Sequence, residues 1–180
     1  MSKNLQKTVL AALLAALTCV ATMVIQIPVA ATNGYLHLGD GLVLICGWML
    51  GPWYGALAAG LGSALADVLT GYMWYVPATF LIKGAVALVA AWLLSLMTKH
   101  KRSLWLPCLV SSIPAELVMA LGYFTYEAFL LAFLTGDPTT ATLAAAISAL
   151  PANFVQALSG VVIGTMLMPF LSRLREVIWK

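Results

Sequence analysis

Apolar residues occupy six long stretches of the chain, separated by short segments that are rich in polar residues, glycine or proline. A helix needs about 20 mainly apolar residues to span a bilayer, and fewer when other parts of the protein cover its ends. The second stretch is too short to span in a regular way, whereas the last two are long enough to tilt or to extend beyond the bilayer. The pattern therefore predicts an all-α bundle of six membrane helices in a single domain over residues 1–180, at about 7–27, 40–50, 52–70, 78–98, 104–134 and 140–171.

The composition and the placement of positive charge agree with a membrane location. Of the 180 residues, 63% are hydrophobic and 8% are charged, against about 25% charged residues in a soluble domain. Lysine and arginine are enriched in short cytoplasmic segments, and here they cluster before the first helix, between the fourth and fifth, and after the sixth. With six spans these three places share one side, so both termini are predicted to be cytoplasmic. The connections at 28–39, 71–77 and 135–139 contain neither residue type and are predicted to face outside.

The first helix carries alanine pairs four residues apart, at Ala11 and Ala15 and at Ala12 and Ala16. Small residues at this spacing allow another helix to approach closely, because helix association in lipid depends on packing. Two interpretations stay open. The alanines pack inside the protein's own bundle, or they form a docking face for a second protein.

Two ionisable residues flank the aromatic connection between the third and fourth helices. Asp67 lies about 6 Å in from Gly71, and Lys83 lies about 8 Å in from Ala78, at about 1.5 Å per helical residue. Each costs roughly 2.5 to 3.5 kcal/mol to place in a membrane, so such residues mark a functional site by default. Because the depths match, the sequence predicts an ion pair between Asp67 and Lys83 that fixes this helical hairpin. Ligand contact by either residue is the alternative.

The outer connections near this pair contain aromatic and imidazole side chains. Trp74 and Tyr75 are either part of an aromatic belt at the membrane interface or a lid that stacks on a ring. His37 is either a hydrogen-bonding loop residue or a ligand contact, since this isolated histidine lies in no recognisable motif. Asp40 is expected to cap the second helix or to act as an anion in its first turn.

Polar residues also align on one face of each of the last two helices. In the fifth helix the aligned positions are Glu116, Ala120, Tyr123 and Glu127, at a spacing that matches 3.6 residues per turn. In the sixth helix they are Asn153, Gln156, Gly160 and Gly164. Both faces are more polar toward the outer end, so we expect them to form two walls of a pocket that opens outward. The alternatives are that Glu116 is a buried acid bonded to neighbouring helices and that Asn153 makes an interhelical hydrogen bond.

The chain lacks the motifs of the common enzyme classes. It has no Gly-x-Ser-x-Gly elbow, no His-Glu-x-x-His and no Walker loop. Three cysteines and two histidines are scattered without metal-ligand spacing. We therefore expect no catalysis, metal or cofactor. The remaining interpretation is a pocket near the outer face for a small polar aromatic molecule.

Several segments between residues 33 and 84 resemble a known family of membrane proteins. They are NGYLHLGD at 33–40, LGPWYG at 50–55, GSALAD at 62–67, GY at 71–72 and PATFLIKG at 77–84. The family is that of the substrate-binding S components of energy-coupling factor (ECF) vitamin transporters. Within it, the resemblance is to the branch with riboflavin, hydroxymethylpyrimidine and pyridoxine S components.

The resemblance implies a transport subunit of the bacterial cytoplasmic membrane and not an enzyme. An S component of this family binds its vitamin from outside and then associates with a transmembrane coupling subunit, the T component, and two cytoplasmic ATPases. In the family, the small protein topples in the membrane and carries the substrate inward. The residues that match the family's docking surface are Ala11, Ala12, Ala15 and Ala16.

The resemblance also implies that the ligand lies between the outer connections and the outer halves of helices four to six. The matching positions are Tyr35, His37, Trp74, Tyr75, Lys83, Glu116, Tyr123, Glu127, Asn153 and Gln156. Aromatic rings would sandwich a heterocycle while amides and carboxylates contact its hydroxyls and ring nitrogen. A polyanion would call for more than the single outward cation, Lys83. Pyridoxine or hydroxymethylpyrimidine is therefore favoured over folate, and riboflavin remains a candidate.

Two other classes of function stay open. A stand-alone facilitator would transport a small solute without a partner, and it would do so in liposomes without ATP. A structural membrane subunit would show no saturable binding of a small molecule.

Overall fold

The computed structural model describes residues 3–98, 104–136 and 140–179. Its elements in chain order are α1 (Lys3–Val24), β1 (Gln26–Val29), β2 (Gly34–His37), α2 (Asp40–Leu50), α3 (Pro52–Thr70), α4 (Val76–Met97), α5 (Trp105–Thr135) and α6 (Thr140–Trp179). The predicted six-helix bundle is confirmed. Some of the basic residues on which the predicted orientation rests lie outside the described residues, namely Lys99, Lys101, Arg102 and Lys180.

A short antiparallel hairpin takes the place of the first outer connection. β1 pairs with β2, with Gln26 opposite His37. The turn between the strands contains Asn33, whose φ of 53° lies in the left-handed region that asparagine tolerates better than most residues. Because the chain enters this hairpin so early, α1 ends at Val24 and not at the predicted Ile27.

The other helices differ from the prediction mainly at their ends. α4 begins at Val76, because Pro77 is compatible with the first turn of a helix. α6 continues to Trp179 and contains Pro151 and Pro169 in its interior. Within the described ranges, α1, α4, α5 and α6 are long and apolar enough to cross a membrane, and α2 is apolar but shorter.

α2 lies in the centre of the bundle although it is the shortest helix. Ten of its 11 residues are buried, and it packs against α1, α3, α4 and α6. The Trp48 indole N–H donates a hydrogen bond to Ser111 Oγ of α5 at 3.0 Å. A helix that is enclosed by protein needs neither the length nor the uniform apolar surface of one that faces lipid.

Glycines allow α2 and α3 to approach their neighbours at backbone distance. A Cβ on Gly47 of α2 would collide with the Ala87 carbonyl of α4, and one on Gly62 of α3 would collide with the Ala15 carbonyl of α1. Small residues permit this close packing in membrane helices. The approach of α2 to α4 sets the polar residues of these two helices beside each other.

The two alanine pairs of α1 lie on different sides of the helix. Ala11 and Ala15 are half-buried and pack against the core. Ala12 and Ala16 are exposed. The packing interpretation therefore fits the first pair, and of the four alanines the second pair remains accessible to another protein.

Candidate ligand-binding site

The β1–β2 hairpin is attached to two helices by side-chain hydrogen bonds. Tyr35 Oη donates to Asp67 Oδ1 of α3 at 2.5 Å. The backbone N–H of His37 donates to Gln156 Oε1 of α6 at 3.0 Å. The hairpin thus covers the end of the bundle that the sequence predicts to face outside, which we name the outer end.

A small cavity, here named the inner cavity, lies beneath the hairpin. Its volume is about 20 Å³, which gives room for about one water molecule. Residues of β2, α3, α5 and α6 line it, namely Tyr35, His37, Asp67, Tyr123, Glu127, Asn153 and Gln156. The sequence predicted six of these as ligand contacts, whereas it placed Asp67 in an ion pair.

Three polar atoms at the inner cavity have no hydrogen-bond partner among the described residues. They are Asp67 Oδ2, Glu127 Oε2 and Asn153 Nδ2. Asp67 is 2% exposed and Glu127 is 5% exposed. Because buried polar groups are nearly always paired with protein, water or ligand, this arrangement is typical of a binding site for polar groups.

A larger pocket of about 470 Å³, here named the outer pocket, lies nearer the outer end. It is lined by the turn of the hairpin, the connection between α3 and α4, and the last turns of α5. Trp74 and Tyr75 line this pocket, and Trp74 is 61% exposed. From the sequence, these two residues were either part of an aromatic belt at the membrane interface or a lid over a ligand ring. Pockets for drug-sized ligands measure about 300–1,000 Å³, so the outer pocket has the size that the inner cavity lacks.

Tyrosine rings connect the outer pocket with the inner cavity. The ring centroids of Tyr72, in the outer pocket, and Tyr35, in the inner cavity, are 4.4 Å apart. Those of Tyr75 and Tyr123 are 6.5 Å apart. Tyr75 Oη donates to the Thr32 carbonyl at 2.7 Å, which holds its ring against the hairpin turn. Rings at these distances offer faces and edges on which a heterocycle can stack.

The buried ion pair differs from the predicted one. Lys83 Nζ pairs with Asp40 Oδ1, and both side chains are fully buried. Gln156 Nε2 donates to Asp40 Oδ2 at 2.9 Å. The predicted pair of Asp67 with Lys83 is therefore wrong, because α2 packs against α4 and brings Asp40 to Lys83 while Asp67 accepts from Tyr35.

Asp40 is the residue whose role the sequence analysis missed. It lies in the first turn of α2 as expected, but Gly39 occupies the N-cap position and no side chain caps the helix. The feature of the sequence that could have predicted this role of Asp40 was the short length of the helix it begins. A carboxylate that begins an apolar helix too short to span a bilayer lies inside the bundle and needs a partner there.

Two predicted ligand contacts, Lys83 and Glu116, line neither the inner cavity nor the outer pocket. The Lys83 ammonium lies 5.1 Å from the centroid of the Tyr123 ring, and its pairing with Asp40 accounts for its burial. Glu116 is 2% exposed and packs against Gly160 of α6, where an added Cβ would lie 2.8 Å from Glu116 Oε1. Neither Glu116 oxygen has a hydrogen-bond partner among the described residues.

His37 is a neutral member of the site. Its side chain is buried, and Nδ1 accepts a hydrogen bond from the Gly39 backbone N–H at 3.0 Å. Burial, and after it the positive charge of Lys83, lowers the pKa of His37 to about 3. The ring therefore carries its proton on Nε2 and stays uncharged at neutral pH.

We expect acidification to destabilise the protein through His37. The unfolded chain takes up the proton near pH 6.5, whereas the folded chain takes it up only near pH 3, so stability falls as the pH drops through this window and is unaffected above it. Between about pH 7.5 and about pH 5 the loss is about 2 kcal/mol. The measurement is the melting temperature in detergent at both pH values. In His37→Asn, whose amide oxygen can replace Nδ1, this part of the loss should disappear, and equal shifts in both proteins would contradict the assignment.

These features define a multi-pass membrane protein with a six-helix bundle and a polar candidate site at one end. Residues 2–173 match the family described as the S component of the ECF-type riboflavin transporter. The chain belongs to this family. Its class is therefore that of a non-catalytic transport subunit, which agrees with the resemblance seen in the sequence.

Solved structures confirm the fold. The S component of a bacterial ECF transporter is similar with a TM-score of 0.71 at 19% identity, covering 95% of this chain and 98% of that chain. The S component for biotin from an ECF-type ABC transporter is similar with a TM-score of 0.63 at 20% identity, covering 94% and 95%. An uncharacterised protein of Pyrococcus woesei is 36% identical over 104 residues, which are 58% of this chain and 66% of that relative, so the chain matches about two thirds of the relative's length.

Proposed function

We propose that this chain binds riboflavin at the outer end and delivers it as the substrate-binding subunit of an ATP-driven ECF importer. The observation that carries the proposal is the match of residues 2–173 to the riboflavin-type S component family. This choice replaces the preference for pyridoxine or hydroxymethylpyrimidine. That preference rested on the lack of outward cations, and riboflavin satisfies the same condition because its side chain is an uncharged polyol.

The two spaces at the outer end suit the two parts of riboflavin. The outer pocket, with Tyr72, Trp74 and Tyr75 in its wall, has the volume and the aromatic surface for a fused ring system. The inner cavity offers buried acceptors to a hydroxyl group. A ring in the first space and the end of the side chain in the second is therefore the binding mode that we favour.

The proposed partners are a T component and two ATPases. Ala12 and Ala16 of α1 lie exposed beside Leu13 and Leu17, which are 54% and 44% exposed. An apolar helix face with small residues at its middle permits close approach of a partner helix in lipid. Since the chain has no Walker loop, ATP hydrolysis is assigned to the partners.

Riboflavin should bind the purified protein saturably, and Trp74 should report the binding. Because Trp74 lines the outer pocket, a ring stacked there quenches its fluorescence. Titrations in detergent with riboflavin, pyridoxine, hydroxymethylpyrimidine, thiamine and pantothenate should give saturable quenching with riboflavin alone. Most of that quenching should be lost in Trp74→Phe. Trp92→Phe is the matched control, since Trp92 is exposed on α4 and lines neither space.

Each other outcome of the titration favours a different function. Saturation by pyridoxine without riboflavin would overturn the proposed substrate. A protein that binds no member of the panel would fit a structural subunit. Riboflavin uptake into liposomes by this chain alone, without ATP, would favour a stand-alone facilitator over a subunit of a coupled importer.

A further inference from the structure

The inner cavity has free hydrogen-bond acceptors on two acidic side chains. Asp67 Oδ2 and Glu127 Oε2 lack partners among the described residues, and each of these carboxyl oxygens can accept a hydrogen bond. Both side chains are at least 95% buried, so bulk water does not solvate them. The Asn153 amide nitrogen, which also lacks a partner, lies beside Glu127. A ligand group that donates hydrogen bonds, and that can also accept one from Asn153, therefore fits this cavity.

Among the described residues, no cationic side chain lines the inner cavity. Lys83 is paired with Asp40 and does not line the cavity. His37 lines it but is uncharged, because its Nδ1 accepts from the Gly39 N–H. An anionic ligand group would lie beside two buried acidic side chains with no cation in the cavity wall. Burying a charge without a counter-charge is costly, and any ionised fraction of the two acids adds repulsion between like charges.

The geometry around Asp67 prepares it for this contact. Tyr35 Oη donates a hydrogen bond to Asp67 Oδ1 at 2.5 Å. The other carboxyl oxygen, Oδ2, has no partner among the described residues and is available at the cavity. The Tyr35 ring is itself held against Tyr72, with centroids 4.4 Å apart. The cavity volume of about 20 Å³ accommodates a group the size of a hydroxyl or a water molecule and is too small for a phosphate.

We propose that Asp67 and Glu127 are specificity-determining residues, which accept hydrogen bonds from the uncharged hydroxyl end of the ligand and exclude its phosphate ester. Tyr35 is the positioning residue for Asp67. This inference rests on the proposed function and deepens it. For riboflavin, the end of the polyol chain lies at the inner cavity, and riboflavin 5′-phosphate is rejected there.

The test is the ratio of the dissociation constants of riboflavin 5′-phosphate and riboflavin, measured by titration in detergent. The wild-type protein should bind riboflavin about 100-fold more tightly than its phosphate, and the isosteric double variant Asp67→Asn/Glu127→Gln should narrow this ratio to less than about tenfold. Each single variant should give an intermediate ratio. Thr125→Val, an exposed position on the same helix as Glu127, is the matched control and should keep the wild-type ratio.

The ratio of the two dissociation constants separates the loss of a specific contact from a loss of folding, because an unfolded variant binds both ligands more weakly to the same extent. Tyr35→Phe should narrow the ratio partway while riboflavin still binds. If the double variant binds neither ligand, the two single variants decide the question. A wild-type ratio near one, or an unchanged ratio in carboxylate variants that bind riboflavin, would overturn the inference and leave the proposed function standing.

Failure of the proposed function gives a different pattern. If riboflavin does not bind and pyridoxine does, the proposed substrate falls, and the ratio of pyridoxine phosphate to pyridoxine then tests the two carboxylates. A narrowed ratio in the double variant would support the inference with the new ligand, and an unchanged one would overturn it. If no compound of the panel binds, both proposals fall.

Discussion

Replacing Lys83 with methionine should strongly destabilise the protein, and replacing Asp40 with asparagine in the same chain should recover most of the loss. Both side chains of this pair are fully buried. Removing one partner of a buried ion pair leaves an uncompensated charge and costs about 3–5 kcal/mol, whereas removing both charges together is often close to neutral. In the double variant, Gln156 can still donate to the asparagine oxygen, as it now donates to Asp40 Oδ2. The measurement is the melting temperature of each variant in detergent.

The matched control for this prediction uses the pair that the sequence favoured. In Lys83→Met/Asp67→Asn the Asp40 charge still lies buried without its partner, so this double variant should remain as unstable as Lys83→Met. Recovery by Asp67→Asn and not by Asp40→Asn would show that the ion pair is misassigned. A Lys83→Met variant as stable as the wild type would show that the pair contributes nothing to the fold.

The number and order of the helices followed from the sequence because the length of an apolar stretch reports directly on a membrane helix. The β1–β2 hairpin did not follow from the sequence. Its strands have four residues each, and β1 contains Pro28, which argues against a strand in most settings. What stabilises them is their attachment to α3 and α6 through Tyr35 and His37, and such contacts are not visible in a local pattern.

Helical periodicity predicted much of the site. The spacing of Tyr123 and Glu127 on α5, and of Asn153 and Gln156 on α6, placed four polar side chains on two faces that do meet at the inner cavity. The pairing of charges could not be predicted in this way. Depth along a helix is read from residue number, but the partner of a buried charge depends on which helices are neighbours and how each is rotated. The central position of α2 decides that for Lys83.

The proposed docking face of α1 could not be predicted from residue spacing either. In the sequence, the two alanine pairs of α1 are equivalent, because both have the four-residue spacing that permits close packing. Their positions differ by one residue, which turns the side chain by about 100° around the helix. The structure directs Ala11 and Ala15 toward the core and leaves Ala12 and Ala16 exposed. Rotation of a helix in its bundle is thus the information that separates packing from docking.

Tryptophan at Ala12 or Ala16 should block vitamin uptake and leave vitamin binding unchanged. Both positions are exposed on α1, and no residue of α1 lines the inner cavity or the outer pocket. A bulky side chain there prevents the close approach of a partner helix, which depends on small residues. Uptake of labelled riboflavin into cells that also produce the T component and both ATPases should fall at least about tenfold, while affinity in detergent stays within about twofold.

Two further tryptophan variants separate docking from folding and from general effects in lipid. Ala15→Trp should lose both uptake and binding, because the Ala15 backbone lies against Gly62 and leaves no room for a large side chain between α1 and α3. Leu121 on α5 is 63% exposed, and Leu121→Trp should affect neither, since α5 packs mainly against α4 and α6 and Leu121 lines neither the inner cavity nor the outer pocket. Normal uptake by both the Ala12 and the Ala16 variant would place the docking surface elsewhere on the protein. Loss of binding in these variants would mean that α1 shapes the ligand site and that the two functions are not divided between its two faces.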